Sequence, residues 1–144
     1  MNTTLITTDQ DLQIAFAIRK AVFIEEQQIP ASEEYDDYDT LDAACDHILV
    51  NYNEQPVGTG RLRVVDGYGK LERICILKEF RNYGLGKVII QKLEELAQEK
   101  GLTKSKLSAQ VYAEGFYEKL GYTRTGEEYM DAGIPHILMK KQFN

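Results

Sequence analysis

The sequence predicts a mixed α/β fold (α+β) built around a mostly antiparallel sheet, and three observations carry that prediction. Between residues 45 and 77, three strand-like segments follow one another, separated by the turn signals Glu54-Gln55-Pro56 and Asp66-Gly67. This is the pattern of an antiparallel meander. From Gly84 to Lys100 the pattern becomes helical, with Val88, Ile89, Leu93, Leu96 and Ala97 on one apolar stripe. Beyond Gly101 come a short strand, a short helix and a closing pair of strands, so that a helix joins two strands near the centre of the chain.

Taken in order, residues 3–7 form a short first strand. Thr8-Asp9-Gln10-Asp11 has the form of a helix-capping box, and Leu12, Ala15, Phe16, Arg19, Val22 and Phe23 follow at helical spacing. Pro30 closes that region. The run Ser32-Glu33-Glu34-Tyr35-Asp36-Asp37-Tyr38-Asp39 is acidic and aperiodic, and reads as a loop. Strands are expected at 45–52, 57–65 and 70–77, then the helix over 84–100, which Gly101 stops. A strand at 105–109 precedes a helix from about Tyr112 to Leu120, which ends at Gly121. Residues 122–129 and 136–142 are expected to pair as a hairpin.

At 144 residues the chain fits one compact domain, 1–144, with no room for two independent cores. Its 43% apolar and 28% charged residues are those of an ordinary soluble globular protein. The net charge of −6 argues against general nucleic-acid binding, which needs a basic surface. Apolar runs are short, so no membrane span is expected, and Met1 to Ile6 lack the features of a secretory signal. A cytoplasmic location follows from this. Cys45 and Cys75 are too few for a disulfide framework or a structural zinc site, and are read as reduced strand residues. No His-x-x-x-His or Cys-x-x-Cys spacing points to a metal.

The most distinctive segment is Arg81-Asn82-Tyr83-Gly84-Leu85-Gly86-Lys87, between a strand and the amphipathic helix. Two glycines let the backbone approach a ligand, and the helix start offers unpaired N–H donors and a partial positive charge. An anion such as a pyrophosphate suits that turn, with Arg81 and Lys87 adding charge at its rim. The dinucleotide fingerprint would need a third glycine where Ile89 stands. The nucleotide P-loop would need glycine at Arg81 and Ser or Thr at Val88. A turn with no ligand is the remaining alternative on this segment alone.

Arg-x-x-Gly-x-Gly at the head of this helix resembles the coenzyme A-binding motif of the GNAT superfamily of N-acetyltransferases. The run from Ala109 to Tyr122 resembles that superfamily's second signature. Val22-Phe23-Ile24-Glu25-Glu26-Gln27 with Pro30, and Gly133-Ile134-Pro135-His136, are similar to the bacterial ElaA/YjcF-like subgroup. The similarity covers nearly the whole chain in order. It implies a central sheet whose middle strands splay apart, about four flanking helices, and acetyl-CoA held in the resulting V. The pyrophosphate would then lie on the backbone N–H groups of Tyr83, Gly84, Leu85, Gly86 and Lys87, with Arg81 and Asn82 completing the cofactor-binding turn. The pantetheine arm would pair with the backbone of Ile74 and Ile76 like an added strand. Gln110 stands where many members carry an asparagine that contacts the cofactor.

The resemblance implies direct acetyl transfer from acetyl-CoA to a small-molecule or peptide amine in a ternary complex. Such a reaction needs a neutral amine and a proton for the departing thiolate. Tyr117 matches the family tyrosine that often supplies that proton; the alternative is a packed tyrosine with its hydroxyl satisfied. For the base, strand alternation puts Glu72 on one face with Ile74 and Ile76 and puts Cys75 on the other. The alternative for Glu72 is a solvated glutamate or a partner of Arg73 or Arg61. His47 and His136 are further candidates for base or substrate contact, against a packed, hydrogen-bonded role. An acyl-cysteine route through Cys75 has no base nearby in sequence. The acidic loop 33–39 is read either as favouring a cationic acceptor or as a solvated surface. A binding module that senses acyl-CoA without catalysis is the alternative to an enzyme, and the acceptor and oligomeric state carry no readable code.

Overall fold

The structure, a computed structural model, describes residues 2–143. One seven-stranded sheet runs through it in the order β1-β2-β3-β4-β5-β7-β6. The strands are β1 (Asn2–Leu5), β2 (Asp46–Tyr52), β3 (Gln55–Val65), β4 (Tyr68–Ile76), β5 (Lys104–Gln110), β6 (Thr123–Asp131) and β7 (Ile134–Gln142). All neighbours are antiparallel except β4 and β5. The mixed, mostly antiparallel fold is therefore as the sequence predicted, with strand ends shifted by one or two residues in most cases.

Four α-helices flank the sheet: α1 (Asp9–Arg19), α2 (Ala31–Glu34), α3 (Leu85–Glu99) and α4 (Glu114–Lys119). Thr8 caps α1 by accepting from the Asp11 amide at 3.2 Å, as its sequence suggested. The helical path continues past Arg19 as a π-helical turn over Lys20–Glu26, so Val22 and Phe23 stay buried. α2 is a single turn within the stretch read as an acidic loop. Helix α3 lays Leu85, Ile89, Ile90, Leu93, Leu96 and Ala97 on one face of the sheet, against Ile48, Val50, Leu62, Leu71, Leu107 and Ile137. Helix α1 covers the other face with Leu12, Ala15 and Ile18, against Leu49 and Cys75. Among the described residues no helix is long and apolar enough to cross a membrane.

Two features of this sheet build the site. β4 and β5 are joined through α3 and pair only over Gly69–Leu71 and Ser105–Leu107. Beyond Leu71 and Leu107 they splay apart, since β4 stays with β3 while β5 stays with β7 as far as Gln110 and His136. The second feature is a bulge in β4: Arg73 has φ 56°, and the register against β3 slips between Thr59 and Arg61. One extra residue inverts the alternation that follows it. Leu71, Ile74 and Ile76 face α3, whereas Glu72 and Cys75 face α1. Glu72 therefore does not share a face with Ile74 and Ile76, and Cys75 does not lie opposite it; the bulge overturns both expectations.

Candidate active site

The splay opens a cleft of about 770 Å³, a size suited to a small-molecule ligand. Its walls come from Ile74 and Ile76 of β4, Ser108 and Gln110 of β5, Tyr117 of α4, and His136 of β7. Its floor reaches Leu71 and Leu107, where the two strands meet.

At one end lies the turn from Arg81 to Gly86. Asn82 (φ 76°) and Gly84 (φ 75°) are both left-handed, a conformation that Asn and Gly adopt at least cost. Gly84 is the N-cap of α3 and supplies no capping side chain. The first amides of α3 therefore have neither an intrahelical acceptor nor a cap, and they meet a partial positive charge there. Tyr83 turns its ring outward against Tyr52, with centroids 4.8 Å apart. Lys87 is exposed and has no ion-pair partner among the described residues.

Arg81 is placed differently from a rim cation. Its guanidinium donates to both Glu26 carboxylate oxygens at 2.7 Å, and its Nε donates to the Ile76 carbonyl at 3.0 Å. It ties the turn to the π-helical segment and closes one acceptor on β4. The Leu77 amide donates to Val57 on β3, so the backbone groups of Cys75 and Leu77 point toward β3. Those of Ile74 and Ile76 then point into the cleft. The Ile76 N–H and both backbone groups of Ile74 are thus available to an extended ligand.

Tyr117 packs between Phe116 and Tyr122, with centroids 5.1 and 6.2 Å away. Its hydroxyl has no hydrogen-bond partner among the described residues, and burial pushes its pKa well above the ordinary tyrosine range. It is a phenol kept protonated, at the cleft wall. Across the cleft, the Gln110 side chain donates to Gln27 Oε1 at 2.8 Å and links β5 to the π-helical segment.

Glu72 sits in a dense ion network. Burial raises its pKa, but hydrogen bonding from Arg63 and the charges of Arg61 and Lys70 outweigh this and hold the carboxyl at about 2. Arg61 donates to it at 3.0 Å, Arg63 at 2.9 Å, and Lys70 lies 3.1 Å away. A carboxylate so stabilised is a weak proton acceptor. The same network absorbs most of the acidic stretch. Arg19, 1% exposed, is paired to Glu34 and Asp39 at 2.6 Å, and Arg61 to Asp36 and Asp39 at 2.7 and 2.9 Å. Glu34 and Asp39 are buried anchors and the exposed Asp36 is tied to Arg61, so only the remaining acids of that run are unpaired surface.

The two histidines divide. His47 is buried beneath the Tyr38 carbonyl, 3.0 Å from Nε2, and burial lowers its pKa; it is not part of the cleft. His136 lines the cleft. Cys75 also borders it, but burial pushes its thiol far above the range of a reactive thiolate.

Sequence reasoning offered the Arg61–Glu72 pair as one reading of Glu72, but did not find the rest of the ion network, the Arg81–Glu26 pair or the contact of Gln27 with Gln110. One signal was present: Arg19 falls on the apolar stripe of α1, where a charge can be buried only if paired, and an acidic run follows it.

A gap between two parallel strands that diverge, with an uncapped helix start at its mouth, gives the fold an anion-binding cleft, and comparison with known proteins supplies its class. The chain matches the acetyltransferase (GNAT) domain family over residues 10–143, and it belongs to that family. Two Bacillus subtilis relatives are similar over nearly their full lengths. YyaT is 55% identical over 100% of this chain and 97% of its own. YjcF, named an uncharacterised N-acetyltransferase, is 45% identical over 98% of this chain and 99% of its own. The crystal structure of a candidate N-acetyltransferase from Lactobacillus plantarum superposes with a TM-score of 0.91 at 30% identity, covering 99% of this chain and 98% of that one. The chain is an acetyltransferase of the subgroup its sequence resembles.

Proposed function

We propose that the acetyl group comes from acetyl-CoA and passes directly to a primary amine, with both bound at once in the cleft. The observation that carries this reading is the set of uncapped amides at the start of α3, set at the mouth of the gap between β4 and β5. Amides from Tyr83 to Lys87 would hold the pyrophosphate, with Gly84 and Gly86 letting it approach and Lys87 adding charge. Arg81 acts through its backbone and by bracing the turn, since its side chain is held by Glu26. The backbone of Ile74 and Ile76 would pair with the pantetheine arm, and Gln110 would border it.

Acetyl-CoA supplies an activated thioester whose acyl carbon an amine can attack. Tyr117 would hold the proton that the departing sulfur takes. Glu72 is proposed as an anchor for Arg61, Arg63 and Lys70 and not as the base. The acceptor is a small-molecule or peptide amine. The chain works in the cytoplasm on this reading, with Cys45 and Cys75 both free.

The test is release of free thiol from acetyl-CoA by the purified protein, offered simple amines, polyamines, amino acids and short peptides. Amine-dependent release is expected. Coenzyme A at a hundredfold its Kd should also stabilise the fold by roughly 2.7 kcal/mol. Stabilisation with no thiol release across the panel would mark an acyl-CoA-binding module. Neither effect would contradict coenzyme A binding altogether.

A further inference from the structure

We propose that His136 takes the proton from the acceptor's ammonium group, which makes it a further catalytic residue of the transfer described above and rests on that reading. The proposal begins with how the side chain is aimed. Ala132 (φ 52°) and Gly133 (φ 77°) form a tight two-residue turn between β6 and β7, pairing Asp131 with Ile134 and Tyr129 with His136. On its other edge His136 is paired with Gln110, the last residue of β5 before the chain turns toward α4. The imidazole is thereby fixed in the cleft wall at the open end of the V, on the same cleft as Tyr117.

The tautomer follows from one contact. Nδ1 lies 2.6 Å from the Ile134 carbonyl oxygen. A carbonyl only accepts, so Nδ1 carries the hydrogen and Nε2 is left with a lone pair. The ring stacks on Tyr129 with centroids 6.1 Å apart and planes 27° apart, and the Tyr129 hydroxyl is hydrogen-bonded to Ser108. Ring orientation is thus held from two sides. Nε2 itself has no hydrogen-bond partner, although the residue is only 8% exposed. Among the described residues no sealed side-chain nitrogen or oxygen lacks a partner. Nε2 is therefore open to solvent, and the residue that carries it lines the cleft. His47 has the reverse arrangement: its Nε2 faces the Tyr38 carbonyl and so carries the hydrogen.

The other titratable groups around His136 are poorly suited to this role. Tyr129 is bonded to Ser108, and Tyr117 is held protonated. Glu72 and Glu34 are locked in ion pairs, and Arg73 is a cation. Asp131 stands exposed at the hairpin end.

The step balances as follows. One N–H proton of the acceptor's ammonium moves to Nε2, giving imidazolium and a neutral amine. The nitrogen lone pair forms the C–N bond to the acyl carbon, and the C–S electron pair leaves with sulfur, which takes the Tyr117 proton. The second nitrogen proton, shed as the amide forms, restores Tyr117 through solvent, and the imidazolium proton passes to water. The products are the N-acetyl amide, free thiol and one proton.

Two measurements test it. Diethyl pyrocarbonate reacts at an accessible unprotonated ring nitrogen; peptide mapping by mass spectrometry should find His136 modified and His47 spared. An unmodified His136 overturns the proposal. His136→Asn keeps a side-chain N–H for the Ile134 carbonyl while removing Nε2. It should lower kcat about 100-fold at neutral pH with the best amine of the thiol-release panel. Its loss should shrink as pH rises and more of the amine is already neutral, and stabilisation by coenzyme A should be unchanged. A His136→Asn protein within twofold of wild type at every pH overturns this assignment alone. Wild-type protein that releases thiol with no amine overturns the reading on which it rests.

Discussion

Replacing Glu72 by glutamine separates two roles for this residue, because an anchor and a base fail in different assays. Glu72 lies between Arg61, itself 2% exposed, and Arg63 and Lys70. Its carboxyl is held at about 2 against an ordinary 4.5. At 1.36 kcal/mol for each tenfold change, that preference for the charged form is worth about 3 kcal/mol to the fold at neutral pH. The sign is fixed by linkage. A depressed folded pKa gives stability that is complete above the unfolded value, near 4.5, and is lost as pH falls toward 2. Roughly 2 kcal/mol of it is gone by pH 3. Urea denaturation of wild type and Glu72→Gln at pH 7 should therefore differ by about 3 kcal/mol, since the amide still accepts a hydrogen bond but leaves a buried guanidinium short of one charge. At pH 3 the two curves should draw to within about 1.5 kcal/mol. Thiol release by the folded variant should stay within a few-fold of wild type. A variant of unchanged stability and kcat reduced by two orders of magnitude would refute the anchor role and restore Glu72 as the base.

The other predictions use the same separation of stability from chemistry. Gly86→Ala should leave stability unchanged or raise it by about 0.5 kcal/mol through helix propensity, the new Cβ meeting only the half-exposed Phe116 ring at 3.0 Å. Its affinity for coenzyme A should fall at least tenfold, about 1.4 kcal/mol, read by thermal shift; undiminished affinity would remove the first turn of α3 from the site. Tyr117→Phe should lower kcat about 100-fold while leaving coenzyme A affinity in place, and equal turnover would exclude its hydroxyl from proton transfer. In the acidic stretch, Glu34→Ala should cost about 3–5 kcal/mol because it strips Arg19 of a buried partner, whereas the exposed Asp37→Ala should change stability by less than about 0.5 kcal/mol. Similar losses from both would show that the network is not specific to its buried members.

Much of this molecule was legible because local rules and tertiary structure agree. The stripe on α3, the Asp66-Gly67 turn and the Gly84-Leu85-Gly86 start of a helix each state their geometry in a few neighbouring residues. The faces of β4 were not legible, because one left-handed residue, Arg73, inverts the alternation after it, and nothing in Leu71-Glu72-Arg73-Ile74 marks where the bulge falls. Glu72 was therefore set among the cleft-facing isoleucines when it faces the arginines of the α1 side. The acidic stretch misled for a related reason. Burial of Glu34 and Asp39 depends on Arg19, fifteen and twenty residues earlier, and on Arg61, which lies 22 residues after Asp39 on β3. Tyr117 and His136 could be proposed from sequence, but not the Ile134 contact that sets a tautomer or the packing that keeps a phenol protonated.

The most direct measurement is an amide-resolved NMR titration of the protein with coenzyme A. If the exposed N–H groups ahead of α3 grip the diphosphate, the resonances of residues 83 to 87 should move first and furthest, followed by Ile74 and Ile76 along β4. Saturating ligand that stabilises the fold yet leaves those seven amides in place would contradict the account, since nothing else in it positions the thioester.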